Sequence, residues 1–221
     1  MKMIGFIFHG IGVPQRELEP GEDLYWISEG FFEAILQMMV PRADHVQISF
    51  DDGNSSDHTI ALPRLQALGL QADFFPLTGR IGQLGSMTAE QICDLAAAGM
   101  GVGSHGVDHQ NWAKISVDML EKEITQSRKV LEEIIHQPVT AAAIPFGSYN
   151  SRVLGALRQA GYDTAYSSDQ GSMRMDRFLR PRTSVRRDMD MADVKRVLDG
   201  QMSILGKLRW LAGITLKSYI R

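Results

Sequence analysis

The sequence predicts an α/β fold in one domain, with short strands and longer helices alternating around a parallel sheet. Three observations carry that reading. β-rich runs of a few residues alternate with helical patterns along the chain, the order that βαβ units impose. Three helical stretches close on a glycine that a candidate strand follows: Gly69 after Leu65-Gln66-Ala67-Leu68, Gly99 after Leu95-Ala96-Ala97-Ala98, and Gly161 after Leu157-Arg158-Gln159-Ala160. Glycine takes the left-handed C-terminal cap without steric cost. The 221 residues suffice for one sizeable core, and no repeat, low-complexity stretch or long linker marks a second domain, so residues 1–221 read as one unit.

The strands are expected at Met3 to Phe8, Val46 to Phe50, Ala72 to Phe75, Met100 to Gly103, Ala141 to Ile144, Thr164 to Tyr166 and Thr183 to Val185. Helix starts are marked by Ser28 and Ser116 as N-caps and by Thr88-Ala89-Glu90-Gln91 as a capping box. From Val117 to Ile135, apolar Leu120, Ile124, Leu131, Ile134 and Ile135 alternate with charges, as on a helix packed outside a sheet, and Pro138 is its expected stop. The C-terminal segment 203–221 reads as an amphipathic helix. Its apolar stripe is Leu205, Leu208, Leu211, Ala212, Thr215, Leu216 and Tyr219, and its charges (Lys207, Arg209, Lys217, Arg221) are all positive. Such a helix either docks on the domain, the preferred reading, or makes peripheral contact with an anionic membrane.

A formal charge of −3 carries no basic excess, which excludes the usual nucleic-acid binder. Cys93 has no partner for a disulfide and reads as a small buried apolar side chain in a reducing compartment. The run from Met1 to His9 is too short for a signal-peptide core or a membrane span, so a cytoplasmic protein is expected, at the inner membrane face if the terminal helix meets lipid. The twelve Met residues read as core filler.

Two strand ends carry chemistry. Val46-Gln47-Ile48-Ser49-Phe50-Asp51-Asp52-Gly53 ends in adjacent carboxylates. Successive residues there point in different directions, so one can bind a cation while the other handles protons; the bland alternative is a polar Asp-Gly turn. Gly101-Val102-Gly103-Ser104-His105-Gly106-Val107-Asp108-His109 again runs from a strand into a polar turn, with two of the six histidines spaced to share one side if the turn is helical. Two imidazoles and one carboxylate leave coordination positions open, as a catalytic metal requires. His45, His58 and His136 read as solvated.

Ser49-Phe50-Asp51-Asp52-Gly53 and Ser104-His105-Gly106-Val107-Asp108-His109 resemble the first two motifs of the polysaccharide deacetylases, also called NodB-homology or carbohydrate esterase family 4 proteins. Pro145-Phe146-Gly147-Ser148-Tyr149-Asn150 is similar to the Pro-aromatic-Gly element of their third motif, and the likeness runs from about Phe6 to Val185. The resemblance implies a distorted (β/α)7 barrel with its site at the C-terminal strand ends. It implies a divalent metal, Zn2+ first and Co2+, Ni2+, Mn2+ or Fe2+ as alternatives, held by Asp52, His105 and His109, with Asp51 as general base. A backbone N–H after Pro145 is the implied oxyanion donor.

The pattern breaks in two places. Familiar members carry an Arg two residues before the third-motif Pro, where this chain has Ala143, and a late His as general acid, where Leu179-Arg180-Pro181-Arg182-Thr183-Ser184-Val185 has none. Some branches open with a Tyr-His pair that Phe8-His9 resembles, so His9 is the expected proton donor or leaving-group ligand, against a His that merely bonds a loop backbone. Arg182 is the candidate for the missing Arg, orienting Asp51 or binding an anionic substrate group, with an ordinary surface residue as the alternative. Pro145, Phe146, Gly147 and Tyr149 are expected at the substrate, with Trp112 flanking them.

The expected function is hydrolytic removal of an N-acetyl or other N-acyl group from an amino sugar or glycan precursor in polysaccharide or lipopolysaccharide biosynthesis. The alternative is a catalytically degenerate carbohydrate-binding barrel that keeps its metal site.

Overall fold

The computed structural model describes residues 2–201. The amphipathic helix expected over 203–221 lies outside the described residues. The chain runs through β1 (Lys2–Phe8), β2 (Gly10–Ile11), β3 (Trp26–Ile27), α1 (Glu29–Met39), β4 (Val46–Asp52), α2 (Leu62–Leu68), β5 (Ala72–Pro76), α3 (Ala89–Ala97) and β6 (Gly101–Val102). It continues with α4 (Val117–Ile135), β7 (Ala141–Ala143), α5 (Ser151–Gln159), β8 (Thr164–Ser167), β9 (Ser172–Arg174), β10 (Leu179–Pro181), β11 (Thr183–Ser184) and α6 (Met191–Leu198).

Parallel pairing links β1 to β4, β4 to β5, β5 to β6, β7 to β8 and β8 to β10. Ser104 bridges to Ala142 and so joins the β6 stave to β7, while β11 returns to β1. The circuit is therefore closed, with the β10–β11 stretch as one stave that pairs with β8 at its start and β1 at its end. That changeover falls at Arg182 and splays the barrel; β9 covers the gap by pairing antiparallel with the start of β1.

The alternation of each strand sorts its side chains between two layers. Phe6, Phe8, Ile48, Phe50 and Phe74 belong to the apolar layer under the helices, and their rings form a ladder across neighbouring strands, Phe8 to Phe50 at 5.3 Å and Phe50 to Phe74 at 4.7 Å between centroids. Phe75, Ala143, Tyr166 and Met173 form a second, smaller cluster. Local signals do what their chemistry dictates: Ser28, Ser116 and Asn150 accept the N–H of the third helical residue, Thr88 and Gln91 close a capping box, and Gly69 (φ 63°) and Gly161 (φ 82°) take left-handed conformations behind their helices. α4 spans the expected Val117–Ile135, but its end is set ahead of Pro138 by His136, which turns left-handed (φ 53°) with its N–H bonded to Glu132 O.

Candidate metal and acyl-hydrolysis site

Asp51 and Asp52 end β4, where the pleat alone would send neighbouring side chains to opposite faces. Asp51 shares the Arg182 guanidinium with Ser49. Asp52 adopts φ 76°, outside the strand region. Gly53 follows at φ 75° under Pro76, whose Cβ lies 2.7 Å from where a glycine side chain would begin, so no larger residue fits the turn.

The histidines come from the segment after β6. The turn is not helical: Gly106 at φ 91° and His109 at φ 52° break it, and the two rings meet through this irregular loop with centroids 5.4 Å apart. The loop is fixed from below by Glu123 of α4, which is 4% exposed and accepts Val107 N at 2.9 Å, Asp108 N at 3.1 Å and Trp112 Nε1 at 3.4 Å. Ser104 Oγ meets Ser127 Oγ, also on α4, at 2.6 Å. A side chain at Gly106 would strike both Glu123 and Trp112. Glu123 read in sequence as one more helix charge; the signal that could have found it is its place three residues after Leu120 and beside Ile124, a carboxylate inside the apolar stripe.

Asp52, His105 and His109 each offer one ligand atom, and these atoms all lie within 4.8 Å of one another. Asp52 Oδ1 is 3.4 Å from His105 Nε2 and 3.6 Å from His109 Nε2. His105 Nδ1 sits 2.9 Å from the Ala143 carbonyl, so the proton belongs on Nδ1 and the Nε2 lone pair faces the cluster. Asp52 Oδ1 is buried without a hydrogen-bond partner, an acceptor whose desolvation a cation would offset. Burial on its own would raise Asp52, yet the close approach of His105, with His9 and His109 beside it, holds it well below the usual carboxylate range. Burial pushes His109 down, toward the neutral imidazole that ligates metals. The donor set, two imidazoles and a carboxylate, fits a divalent cation of the zinc type.

The sequence model of the family described as polysaccharide deacetylase matches residues 40–165, more than half of the chain and the part that bears both carboxylates, both histidines and Pro145. The chain belongs to the polysaccharide deacetylase family. A curated relative, YxkH of Bacillus subtilis (strain 168), assigned to the polysaccharide deacetylases, is 26% identical over 180 residues; the match covers 77% of this chain and 64% of that protein, so less than two thirds of it is represented here. Among solved structures, the Streptococcus pyogenes deacetylase PplD in complex with acetate aligns at TM-score 0.77 and 21% identity over 90% of this chain and 98% of that one. The Bacillus cereus polysaccharide deacetylase BC0361 aligns at 0.77 and 20% over 90% and 69%, and the de-N-acetylase from Aggregatibacter actinomycetemcomitans at 0.74 and 14% over 90% and 100%. At such identities the likeness establishes the fold, the expected distorted (β/α)7 barrel.

Within the deacetylase barrel, Arg182 takes the first of its expected places, beside Asp51, and not the one at a substrate. It is 1% exposed and forms a bidentate pair with Asp51, both N–O distances 2.8 Å, while donating to Ser49 Oγ at 2.7 Å. Its guanidinium carbon lies 5.2 Å from both the Phe75 and the Tyr166 ring centroids. Neither the surface reading nor contact with a substrate anion is open to a side chain so enclosed. Trp112, expected to flank the site, is fully buried beneath the histidine loop. Cys93, expected inside, is exposed, with Sγ 3.1 Å from Ile134 O. His58 is not merely solvated but pairs with Asp94 at 3.0 Å.

The Pro145 turn borders the cluster. Phe146, at φ 58° and 59% exposed, lays its ring 4.3 Å from that of His109. Gly147 N bonds Ile144 O and Ser148 N bonds Pro145 O, so these two N–H groups are engaged inside the turn. Tyr149 donates to Asp169, which also accepts from Ser167; burial and that carboxylate push the phenol well above its ordinary value. His9 follows β1, its ring 4.8 Å from that of Tyr25 and its Nδ1 buried without a partner, so no loop backbone engages that nitrogen. Asp57, unremarked in the sequence, is wholly buried with neither oxygen hydrogen-bonded, and burial raises it well above the usual carboxylate range.

Proposed function

We propose that this deacetylase hydrolyses the N-acetyl, or a closely related N-acyl, group of an amino sugar in a glycan precursor of polysaccharide or lipopolysaccharide assembly. The observation that carries the reading is the convergence of Asp52, His105 and His109 beside a second carboxylate, Asp51, which is locked in place by Arg182. A divalent cation held by those three ligands, Zn2+ in the first instance, would supply Lewis acidity for water and acyl carbonyl alike.

The remaining work belongs to side chains and backbone. Asp51 accepts the proton of the attacking water. Arg182, on the stave that lies one strand away across β1, fixes its carboxylate and so takes the part of the Arg that Ala143 replaces. The Phe146 N–H, the turn's donor not engaged by Ile144 or Pro145, meets the oxygen of the tetrahedral adduct, a contact worth about 3 to 4 kcal/mol where such donors have been removed. His9 delivers a proton to the departing nitrogen, leaving the free amine and the carboxylate of the acid. The exposed Phe146 ring and the Tyr149 face, braced by Asp169, give the sugar apolar walls beside Pro145 and Gly147. Among the described residues no helix is long and apolar enough to cross a membrane.

The test is acetate release from N-acetylated sugars, free, nucleotide-linked and lipid-linked, with metal content measured in each preparation. Metal-loaded wild type is expected to release acetate from at least one class, and Asp51→Asn to lose about 10²- to 10⁴-fold while retaining its metal. A metal-loaded wild type that binds these sugars and releases no acetate would establish the degenerate binding barrel instead.

A further inference from the structure

The two histidines of the cluster are braced differently. His105 Nδ1 has a backbone carbonyl, Ala143 O, as its fixed partner. His109 Nδ1 faces a carboxylate from far away in the chain: Glu19 Oε2, at 3.4 Å. A metal-bound imidazole is oriented, and its basicity raised, by the acceptor on its other nitrogen.

Glu19 is itself held on both sides. Arg80 pairs with its Oε1, and Arg80 belongs to the 78–80 turn whose Thr78 and Gly79 N–H groups bond the Gly106 and Val107 carbonyls of the histidine loop at 3.0 Å. On the other side, Glu22 accepts Glu19 N at 2.8 Å and pairs with Arg16, which reaches Asn54 Oδ1 at 3.0 Å, two positions beyond Asp52. The segment between β2 and β3 is thereby tied to both strand ends that supply ligands. Glu19 is 45% exposed at its side chain, so its place beside His109 is set by these partners and not by core packing.

We propose that Glu19 is the outer carboxylate of the metal site: it accepts the His109 Nδ1–H, keeps the Nε2 lone pair turned toward Asp52, and is aimed by Arg80. This rests on the metal site proposed above. It makes Glu19 a positioning residue, since it touches neither the cation nor the substrate.

The experiment titrates Zn2+ into metal-free full-length protein against a competing chromophoric chelator and records the visible spectrum of the Co2+ form. Glu19→Ala is expected to weaken Zn2+ by about 10- to 100-fold and to alter the Co2+ bands. Glu19→Gln, which keeps an acceptor oxygen and the side-chain volume, is expected to fall between Ala and wild type, and Arg80→Ala to shift affinity in the same direction as Glu19→Ala. Asp52→Ala is the control that must abolish binding. If wild type and Asp52→Ala bind Zn2+ alike, the site itself is wrong and the Glu19 role falls with it. If Asp52→Ala loses the cation while both Glu19 variants stay within twofold of wild type with unchanged Co2+ bands, the Glu19 role alone is overturned.

Discussion

Asp57 is a carboxyl group enclosed behind the Asp51 and Asp52 strand end, and burial followed by repulsion from those two carboxylates is what holds its proton. The folded value stands well above the unfolded 3.8, so native protein keeps a proton that unfolded protein has released once pH passes that figure. Stability therefore falls as pH rises from the unfolded value through the folded one. Asp57→Asn removes the titration. In metal-free protein its thermal midpoint is expected to gain on wild type between about pH 4 and about pH 7, and a difference that stays flat over that range would refute the assignment. His9 allows a kinetic test at the same scale. With its Nδ1 buried and unpaired beside β4's end, His9→Ala is expected to cut kcat by about 10²-fold or more with metal content unchanged; near-normal turnover would remove it as the acid. Both residues illustrate what a sequence can carry. His9 stands out in the sequence because Phe8-His9 resembles the Tyr-His pair of some family branches, whereas Asp57 sits among Asn54, Ser55 and Ser56 and is indistinguishable from turn residues until its surroundings are known.

At the level of elements, α4 does more than cover the barrel. Its apolar positions and both its ends were readable in the sequence, though not the left-handed His136 that closes it; Glu123 and Ser127 lie on the same buried face as Leu120, Ile124 and Leu131, and it is these two polar residues that hold the histidine loop. A hydrophobic stripe shows which way a helix faces and not what a carboxylate embedded in that face holds. Glu123→Ala deprives three donors of their acceptor, which is expected to cost about 3 kcal/mol and to lower the melting temperature by about 6–12 °C. Zn2+ affinity should drop with it, since His105 and His109 flank the released segment. Ser116→Ala provides the contrast on the same helix: loss of one N-cap, about 1 kcal/mol, with metal binding untouched. Equal effects of the two substitutions on chelator competition would contradict a specific anchoring role for Glu123.

For the whole molecule, closure is the feature that local patterns could not supply. The central strand β4 was readable as an apolar–polar alternation and β5 as a short run behind the Gly69 cap, while β9 and β10, Ser172-Met173-Arg174 and Leu179-Arg180-Pro181, are polar or proline-bearing and take their extended form from the neighbours they pair with. Arg182 stands where the last stave leaves β8 for β1, and its side chain crosses the interior to Asp51 between Phe75 and Tyr166. One guanidinium thus links the splayed seam of the barrel to the carboxylate that serves as base. Removing one member of a buried ion pair leaves the other charge uncompensated, a loss of about 3–5 kcal/mol, whereas removing both with neutral residues of similar volume can be almost neutral. Arg182→Met in metal-free protein is therefore expected to lower the melting temperature by about 6–20 °C, and Asp51→Asn in the same chain to recover much of that fall. Turnover would stay lost in the double variant, because its restored stability does nothing to return the base. If Asp51→Asn deepens the destabilisation of Arg182→Met instead of relieving it, the seam is held by the stacking of Arg182 on its two aromatic neighbours, and the ion pair is a matter for catalysis alone.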